Sequence, residues 1–274
     1  MKTYKEIVRE YSKELKEITH IPQKEVEILL LHLLEKNIIW LHLNYDKPCE
    51  IENQLKILVE KRKTSYPLEY LTGRASFYGE IFYTQEGVLI PRPETEILVE
   101  RAQNILKDID SPKIVEIGVG SGIISVMLAV LIKKIEIVAV DINEKALELA
   151  KKNAKKHGVE NKITFIKSDL FENIPMHNYD MVISNPPYIA NNYKLPTNVK
   201  YEPTNALFGG KVGDELLKKI IDETNIRAIK NLLCEMGYDQ KEPLSNYIKK
   251  NYNYSKLEFY KDLEGFDRGF TLIF

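Results

Sequence analysis

Short apolar runs alternate with longer segments of helical periodicity from Lys113 to the end of the chain. This alternation is typical of an α/β fold in which a mostly parallel sheet is covered by helices on both faces. The last two runs are too close in sequence for a crossover connection, so one of these strands must run antiparallel. The predicted strands are 114–117, 137–140, 163–166, 181–184, 232–235, 256–260 and 270–274, and the predicted helices are 121–132, 143–157, 214–228 and 241–250.

The region before Lys113 has a different pattern. Apolar residues recur at helical spacing through residues 1–73, and no alternating strand pattern occurs there. Two β-rich runs flank Gly79-Glu80 and predict a hairpin. We therefore predict an N-terminal helical bundle over residues 1–73, a β-hairpin linker over 74–90 and a larger domain over 91–274.

Composition narrows the class of protein. The 39 basic side chains nearly balance the 40 acidic ones, whereas proteins that bind nucleic acid normally carry a basic surplus. No apolar run reaches the roughly 20 residues that span a bilayer. The two cysteines and five histidines are scattered and have no metal-ligand or triad spacing. We expect a cytoplasmic monomer with no membrane segment, no metal and no nucleic-acid partner.

A glycine-rich loop, Glu116-Ile117-Gly118-Val119-Gly120-Ser121-Gly122, lies where a predicted strand meets a predicted helix. Glycines let a ligand approach the backbone closely, and a helix start offers unpaired N–H groups. Asp141 follows nineteen residues after Gly122, at the end of the next strand. A carboxylate there can accept hydrogen bonds from both ribose hydroxyls of an adenosine.

The spacing of these glycines is G-x-G-x-G, not the G-x-G-x-x-G of dinucleotide enzymes. This difference favours S-adenosyl-L-methionine as the ligand. A turn that only packs strand against helix is the alternative interpretation. Asp169 and Leu170 follow the third strand and are placed to contact the adenine ring, although Asp169 alone is also typical of a plain turn.

The most informative stretch is the apolar strand 181–184, which runs directly into Asn185-Pro186-Pro187-Tyr188. Active sites of open α/β sheets lie at the carboxyl ends of strands. Proline lacks an N–H and restricts the residue before it. The Asn185 side-chain oxygen and the Pro186 carbonyl are therefore expected to converge as two acceptors for one –NH₂ group. Tyr188 is expected to lay its ring against the flat group behind that nitrogen.

These two acceptors suit the methylation of an amide or aromatic amine, whose lone pair is delocalised. If both hydrogens are held, the lone pair is directed toward a sulfonium methyl group. Positioning and exclusion of water supply about 7–11 kcal/mol in favourable cases. No strong general base is needed, since the product proton can leave through the Asn185 or Pro186 acceptor. Asn185, Pro186 and Tyr188 are the predicted catalytic residues, and Asn185, Pro186, Pro187 and Tyr188 the predicted substrate contacts. A rigid surface turn is the alternative.

Motifs beyond these two loops make the resemblance to a known family specific. The narrowest are Ile90-Pro91-Arg92-Pro93-Glu94-Thr95 and Glu235-Met236-Gly237-Tyr238-Asp239-Gln240. With them, the chain from about residue 66 onward resembles the bacterial release factor glutamine methyltransferases, which are protein-(glutamine-N5) methyltransferases. The other segments that carry the resemblance are 67–74, 77–79, 89–96, 118–122, 184–189, 201–203, 206–210, 262–263 and 267–268.

The resemblance implies a seven-stranded class I (Rossmann-like) methyltransferase fold, preceded by a helical domain with a role in substrate recognition and by a hairpin linker. It implies methylation of the glutamine in the Gly-Gly-Gln motif of class I peptide chain release factors, with S-adenosyl-L-homocysteine as the second product. Its site residues would be Asn185, Pro186, Pro187 and Tyr188 around the glutamine. Those around the cofactor would be Gly118, Val119, Gly120, Ser121, Gly122, Asp141, Asp169, Leu170 and Asn185.

Arg92 would lie near the methionine end of the cofactor, unless it is a helix-start residue that faces solvent. Family members usually carry a Pro-Gly-Gly turn before the strand at Leu232, whereas this chain has residues 227–231, Arg-Ala-Ile-Lys-Asn.

Alternatives that share the Asn-Pro-Pro-Tyr loop are a ribosomal-protein glutamine methyltransferase and an adenine-N6 nucleic-acid methyltransferase. The near-neutral charge argues against the second. A hydride-transferring dinucleotide enzyme and a non-catalytic binding module are the alternatives outside this class.

Overall fold

The computed structural model describes residues 1–274. They separate into two units, each with its own core. The first comprises Met1–Arg74 and Leu195–Tyr201, and the second comprises Ala75–Lys194 and Glu202–Phe274. A short segment of the chain after Asn185 therefore belongs to the helical unit, which the sequence did not indicate. None of the helices has the length and apolar character needed to span a membrane.

The first unit is helical, as predicted for the N-terminal region. Thr3 begins the first helix with a capping box, in which its side chain accepts from the Glu6 N–H and the Glu6 carboxylate accepts from the Thr3 N–H. Tyr201 packs its ring against Tyr66 and donates its hydroxyl hydrogen to the Thr64 carbonyl at 2.9 Å. The helices are α1 (Tyr4–Glu14), α2 (Pro22–Leu34), α3 (Ile38–Leu43), α4 (Glu52–Lys63) and α5 (Leu68–Thr72).

The second unit contains the alternating elements. Its helices are α6 (Thr95–Leu106), α7 (Ile123–Leu131), α8 (Glu144–Lys156), α9 (Glu215–Ile226) and α10 (Lys241–Asn251). Its strands, numbered along the chain, are β1 (Arg74–Phe77), β2 (Glu80–Tyr83), β3 (Lys113–Ile117), β4 (Glu136–Asp141), β5 (Ile163–Lys167), β6 (Met181–Ser184), β7 (Ile189–Ala190), β8 (Phe208–Gly210), β9 (Asn231–Glu235), β10 (Lys256–Lys261) and β11 (Asp267–Ile273).

Seven strands form the main sheet in the order β10-β11-β9-β6-β3-β4-β5. All neighbours pair in parallel except β11, which runs antiparallel to both β10 and β9. The predicted α/β class and the predicted antiparallel strand near the end of the chain are thus confirmed. The chain runs outward from β3 to β5 and then returns to place β6 on the other side of β3. Ligands of such sheets bind outside the carboxyl ends of the strands at this reversal.

Side chains on the two faces of the sheet belong to two separate cores. Ile114 and Ile183 pack with α6, α7 and α8 on one face, whereas Val115 and Val182 pack with α9 and α10 on the other. All four side chains are fully buried. The strands read as continuous apolar runs because both faces are covered.

Two short strands were not predicted. β7 and β8 form a separate parallel pair that follows the Asn-Pro-Pro-Tyr loop. Strands of two or three residues are too short to show a hydrophobic period, so no sequence pattern indicates them. The predicted hairpin is present as β1 and β2, with Gly79 at its turn in the left-handed region.

Asn153 connects this hairpin to the glycine-rich loop. The side chain is fully buried on α8. Its oxygen accepts from the Tyr83 N–H at 2.8 Å, and its nitrogen donates to the carbonyls of Tyr83 at 3.1 Å and Ser121 at 2.8 Å. Both hydrogens of the amide nitrogen are donated, so Asn153 holds the hairpin and the glycine-rich loop against α8.

We expect Asn153→Ala to lower the free energy of unfolding by about 2–3 kcal/mol, because backbone groups of both loops lose their buried partner. Urea unfolding measures the change. Asn251→Ala is the matched control, since Asn251 is exposed and donates only to the Tyr247 carbonyl; it should change stability by less than about 0.5 kcal/mol. An equal loss in both variants would contradict the role of Asn153.

Candidate active site

A cavity of about 270 Å³ lies at the carboxyl ends of β3, β4, β5 and β6. A smaller cavity of about 30 Å³ adjoins it, and Gly118, Gly120 and Asn185 line both. Of the other predicted site residues, the larger cavity is lined by Asp141, Asp169, Leu170, Pro186 and Pro187, and the smaller by Val119 and Ser121. Gly122 and Tyr188 line neither.

The three glycines of the loop serve different purposes. Gly118 and Gly120 have positive φ angles of 74° and 54°, and a Cβ atom on either would meet nothing within 4 Å. Glycine is needed there for its backbone conformation, and it leaves the cradle open to a ligand. Gly122 also has positive φ, but its Cβ would lie 3.0 Å from that of Ala150. Its role in the structure is the close packing of the loop against α8.

Asp141 lies at the end of β4 and on the wall of the larger cavity. Its two oxygens accept from the N–H groups of Gly120 at 2.9 Å and Asn143 at 2.8 Å. Burial raises the pKa of the carboxyl group, and these N–H bonds oppose the increase. An ionised carboxylate has about four acceptor positions, so Asp141 can still accept from hydroxyl groups of a ligand.

The segment after β5 presents Asp169 and Leu170 to the same cavity. Leu170 has a positive φ of 46°, which is unusual for a residue with a Cβ atom. The Ser168 hydroxyl stabilises this turn, since it donates to the Leu170 carbonyl and accepts from the Asn173 N–H, both at 3.0 Å. The turn brings an apolar side chain to the cavity wall, where it suits the face of a flat ring.

The Asn-Pro-Pro-Tyr loop places two free acceptors at the cavity. The Asn185 amide nitrogen donates to the Thr95 hydroxyl at 3.1 Å, while the Asn185 side-chain oxygen accepts no hydrogen bond from the protein. The Pro186 carbonyl likewise accepts none. Both residues line the cavity, and the convergence of these two oxygens on one –NH₂ group remains a prediction.

Close backbone packing holds this loop from behind. A Cβ atom on Gly209 would lie 2.3 Å from the Pro187 carbonyl oxygen, and one on Gly213 would lie 2.5 Å from that of Tyr188. Gln240 donates from its side-chain nitrogen to the same Tyr188 carbonyl at 2.9 Å. Any side chain at either glycine would displace the loop, so both positions support the shape of the site.

Tyr188 is half-buried and is oriented by its hydroxyl group. The hydroxyl donates to Glu235 at 3.2 Å and also contacts Arg268. Burial, together with the carboxylate of Glu235, raises the pKa of the phenol. The structure thus defines the partners of the hydroxyl, while the predicted contact of the ring with a substrate remains a prediction.

Three acidic residues have marked roles in the structure, although the sequence analysis predicted no role for any of them. Glu235 is buried at the end of β9, accepts from the Thr95 hydroxyl at 2.8 Å, and has a pKa raised to about 7 by burial. Glu202 is buried and accepts from both the Ile90 N–H and the Arg92 guanidinium. Arg92 is therefore paired with Glu202 and lines the smaller cavity, while 32% of its side chain stays exposed.

Glu116 is the third of these residues. One of its oxygens accepts from the backbone N–H and the hydroxyl of Ser125 in the first turn of α7. The other is buried without a partner, and the residue lines the smaller cavity. Burial raises the pKa of Glu116 to about 8. An orphaned buried oxygen at a cavity suits a ligand that donates a hydrogen bond. The sequence did contain an indication that Glu116 has a role, namely an acidic residue within an otherwise apolar strand.

Known structures confirm the fold. The hMettl16 catalytic domain in complex with MAT2A 3′UTR hairpin 6 matches with a TM-score of 0.57 and 16% identity, over 83% of this chain and 92% of that chain. The N-terminal domain of human METTL16 in complex with SAH matches with a TM-score of 0.51 and 18% identity, over 68% of this chain and 73% of that chain. At these identities the likeness shows the fold alone, that of a class I methyltransferase.

Sequence comparisons identify the family. Residues 6–73 match the family model described as PrmC N-terminal domain, and residues 93–201 match that of the Methyltransferase small domain. The release factor glutamine methyltransferase of Aquifex aeolicus is 34% identical, over 93% of this chain and 92% of that protein. That of Enterococcus faecalis is 37% identical, over 83% of this chain and 83% of that protein. That of Dictyoglomus turgidum is also 37% identical, over 91% of this chain and 90% of that protein. The chain therefore belongs to the release factor glutamine methyltransferase family.

Proposed function

We propose that this enzyme transfers a methyl group from S-adenosyl-L-methionine to the side-chain amide nitrogen, N5, of the glutamine in the Gly-Gly-Gln motif of class I peptide chain release factors. The observation that carries the proposal is the pair of unpaired acceptors, the Asn185 side-chain oxygen and the Pro186 carbonyl, beside the glycine cradle. A primary amide offers two N–H donors to such a pair.

The residues of the cavity fit this cofactor. The open cradle at Gly118 and Gly120 admits a ligand against the backbone. Asp141 can accept from the ribose hydroxyls, and Leu170 offers an apolar surface to the adenine ring. The unpaired oxygen of Glu116 suits the ammonium group at the methionine end.

Chemistry at this site depends mainly on orientation. The bound sulfonium supplies an electrophilic methyl group. Asn185 and Pro186 hold the two amide hydrogens of the substrate, so that the nitrogen lone pair is directed away from both acceptors. The nitrogen gains a methyl group and loses one proton, which passes to solvent along one of these hydrogen bonds. Exclusion of water and alignment of the reacting atoms supply the acceleration.

The same two acceptors would hold the –NH₂ group of a ribosomal-protein glutamine or of adenine, so they do not by themselves select the substrate. The family relationship favours the release factors. The near-neutral charge of the chain argues against a nucleic-acid substrate. We further propose that the enzyme acts in the cytoplasm as a monomer, with the helical domain over residues 1–73 contributing to recognition of the release factor.

Asn185→Ala should still bind the cofactor and slow methyl transfer by at least ~100-fold, by analogy with the loss of one preorganised polar contact. Single-turnover transfer of a labelled methyl group measures the rate, and calorimetry with S-adenosyl-L-homocysteine measures binding. Asn225→Ala, at an exposed position on α9, is the control for the loss of an asparagine. Near-normal turnover in Asn185→Ala would refute the assigned role.

Asp141→Ala should weaken cofactor binding by on the order of 1.5–3 kcal/mol, because charge-assisted hydrogen bonds to the ribose are lost. Calorimetric titration with S-adenosyl-L-homocysteine measures the change. Asp108→Ala removes an exposed carboxylate instead and should bind as the wild type does. If the two variants have the same affinity, Asp141 does not hold the ribose.

Labelled methyl groups should appear on a purified class I release factor and not on its variant with the Gly-Gly-Gln glutamine replaced by glutamate. The replacement removes the –NH₂ group and keeps the shape of the side chain. Transfer to the glutamate variant would show that another residue is modified. Label on ribosomal protein or on nucleic acid, with none on the release factor, would overturn the proposed substrate.

A further inference from the structure

We propose that Thr95 and Glu235 are positioning residues that hold the Asn185 carboxamide with its oxygen toward the cavity. The inference rests on the proposed function, because it explains how Asn185 is kept as an acceptor for a substrate –NH₂ group. Glu235 lines neither cavity, and Thr95 lines only the smaller one. Thr95 contacts Asn185 directly and Glu235 contacts Thr95, so both would act on the substrate through Asn185.

Three side chains form a directed chain of hydrogen bonds behind the site. The Thr95 hydroxyl donates to Glu235 Oε2 at 2.8 Å, and the Asn185 amide nitrogen donates to Thr95 Oγ1 at 3.1 Å. A hydroxyl group has only one hydrogen to donate. While that hydrogen is given to Glu235, Thr95 can only accept from Asn185. The amide nitrogen must then face Thr95, and the amide oxygen must face away from it.

The direction of this chain matters because a carboxamide is nearly symmetric in shape. Rotation by 180° exchanges its oxygen and nitrogen at little steric cost. A rotated Asn185 would present N–H donors to the N–H donors of the substrate, and the amide would be repelled. The polarity of the Thr95 hydrogen bond therefore decides whether Asn185 binds the substrate.

The charge of Glu235 sets this polarity. Tyr188 and Thr95 donate to its two oxygens, and Arg268 on β11 lies close enough to favour the ionised form. Arg268 is itself held by two hydrogen bonds to Asp262, at 3.0 and 2.8 Å.

The other titratable groups around Glu235 are Glu94 at the start of α6, which opposes ionisation, and the buried phenol of Tyr260 on β10. Burial outweighs the favourable contacts and raises the pKa of Glu235 to about 7.

When Glu235 is protonated, its carboxyl hydrogen can be donated to Thr95. The Thr95 hydroxyl is then free to donate to the Asn185 oxygen, and both amide orientations become acceptable. The methyl-transfer rate should therefore rise with pH through about 7.

The first test observes the amide directly and needs no release factor. In protein labelled with ¹⁵N-asparagine and bound to S-adenosyl-L-homocysteine, the side-chain NH₂ signals of Asn185 are assigned by their loss in Asn185→Ala. We expect them to shift with a midpoint near pH 7 in the wild type and not to titrate in Glu235→Gln. Thr95→Val should move them toward the positions of an exposed asparagine, and Thr95→Ser should restore them. Signals that are the same in Thr95→Val and the wild type would overturn the proposal.

The second test measures kinetics. Thr95→Val should lower kcat by about tenfold or more through loss of alignment, with KM for the release factor and cofactor affinity within about twofold of wild type, and Thr95→Ser should recover most of the rate. Glu235→Gln should lower kcat and abolish its dependence on pH near 7. The matched control is Thr224→Val, which removes a buried hydroxyl that donates to the Ile220 carbonyl. Thr224 lines neither cavity, so its kcat should be unchanged.

The two proposals fail in different ways. If the wild type transfers no methyl group to a release factor while the Asn185 signals respond as expected, the positioning roles stand and the substrate assignment is wrong. If the release factor is methylated and Thr95→Val retains a normal kcat, the positioning roles are wrong and the proposed function stands.

Discussion

The parallel pairing of β3 with β6 is the interaction on which the site depends. Its register places Ile117 opposite Ser184, so the residues that follow, Gly118 and Asn185, leave the sheet side by side. The buried Ser184 hydroxyl donates to the Ile117 carbonyl at 2.7 Å and reinforces this register. A slip along either strand would separate the glycine cradle from Asn185.

Buried acids at and near the ends of β3 and β9, the two strands that flank β6, are the second feature of the site. Glu116 on β3 and Glu235 on β9 have pKa values raised by burial to about 8 and about 7, from an ordinary value of 4.5. A carboxyl group whose pKa is raised in the folded state contributes stability at low pH. This contribution is lost as pH rises from the ordinary pKa of 4.5 to the raised pKa of the folded state. Both acids therefore oppose folding at neutral pH, which is typical of groups retained for function.

Much of the fold could be predicted because it follows from local patterns. Continuous apolar runs indicated the buried strands, helical periodicity indicated the covering helices, and the short final connection required an antiparallel strand. The two loops of the site were found in the same way, since Gly118, Gly120 and Asn185 follow strand patterns at positions where ligands bind. The pair β7–β8 could not be predicted, because strands of two or three residues carry no period.

The sequence by itself determined the class of sheet and predicted the glycine cradle and the Asn185-Pro186 acceptor pair, because each depends on residues that are adjacent in the chain. Only the tertiary structure decided which side chains support them. Thr95 and Glu235 are 140 positions apart, and Arg92 and Glu202 are 110 apart. Such partners meet through the strand order of the sheet and the packing of helices on it. A local pattern contains no information on either, so the orientation of Asn185 could be recognised only in the folded chain.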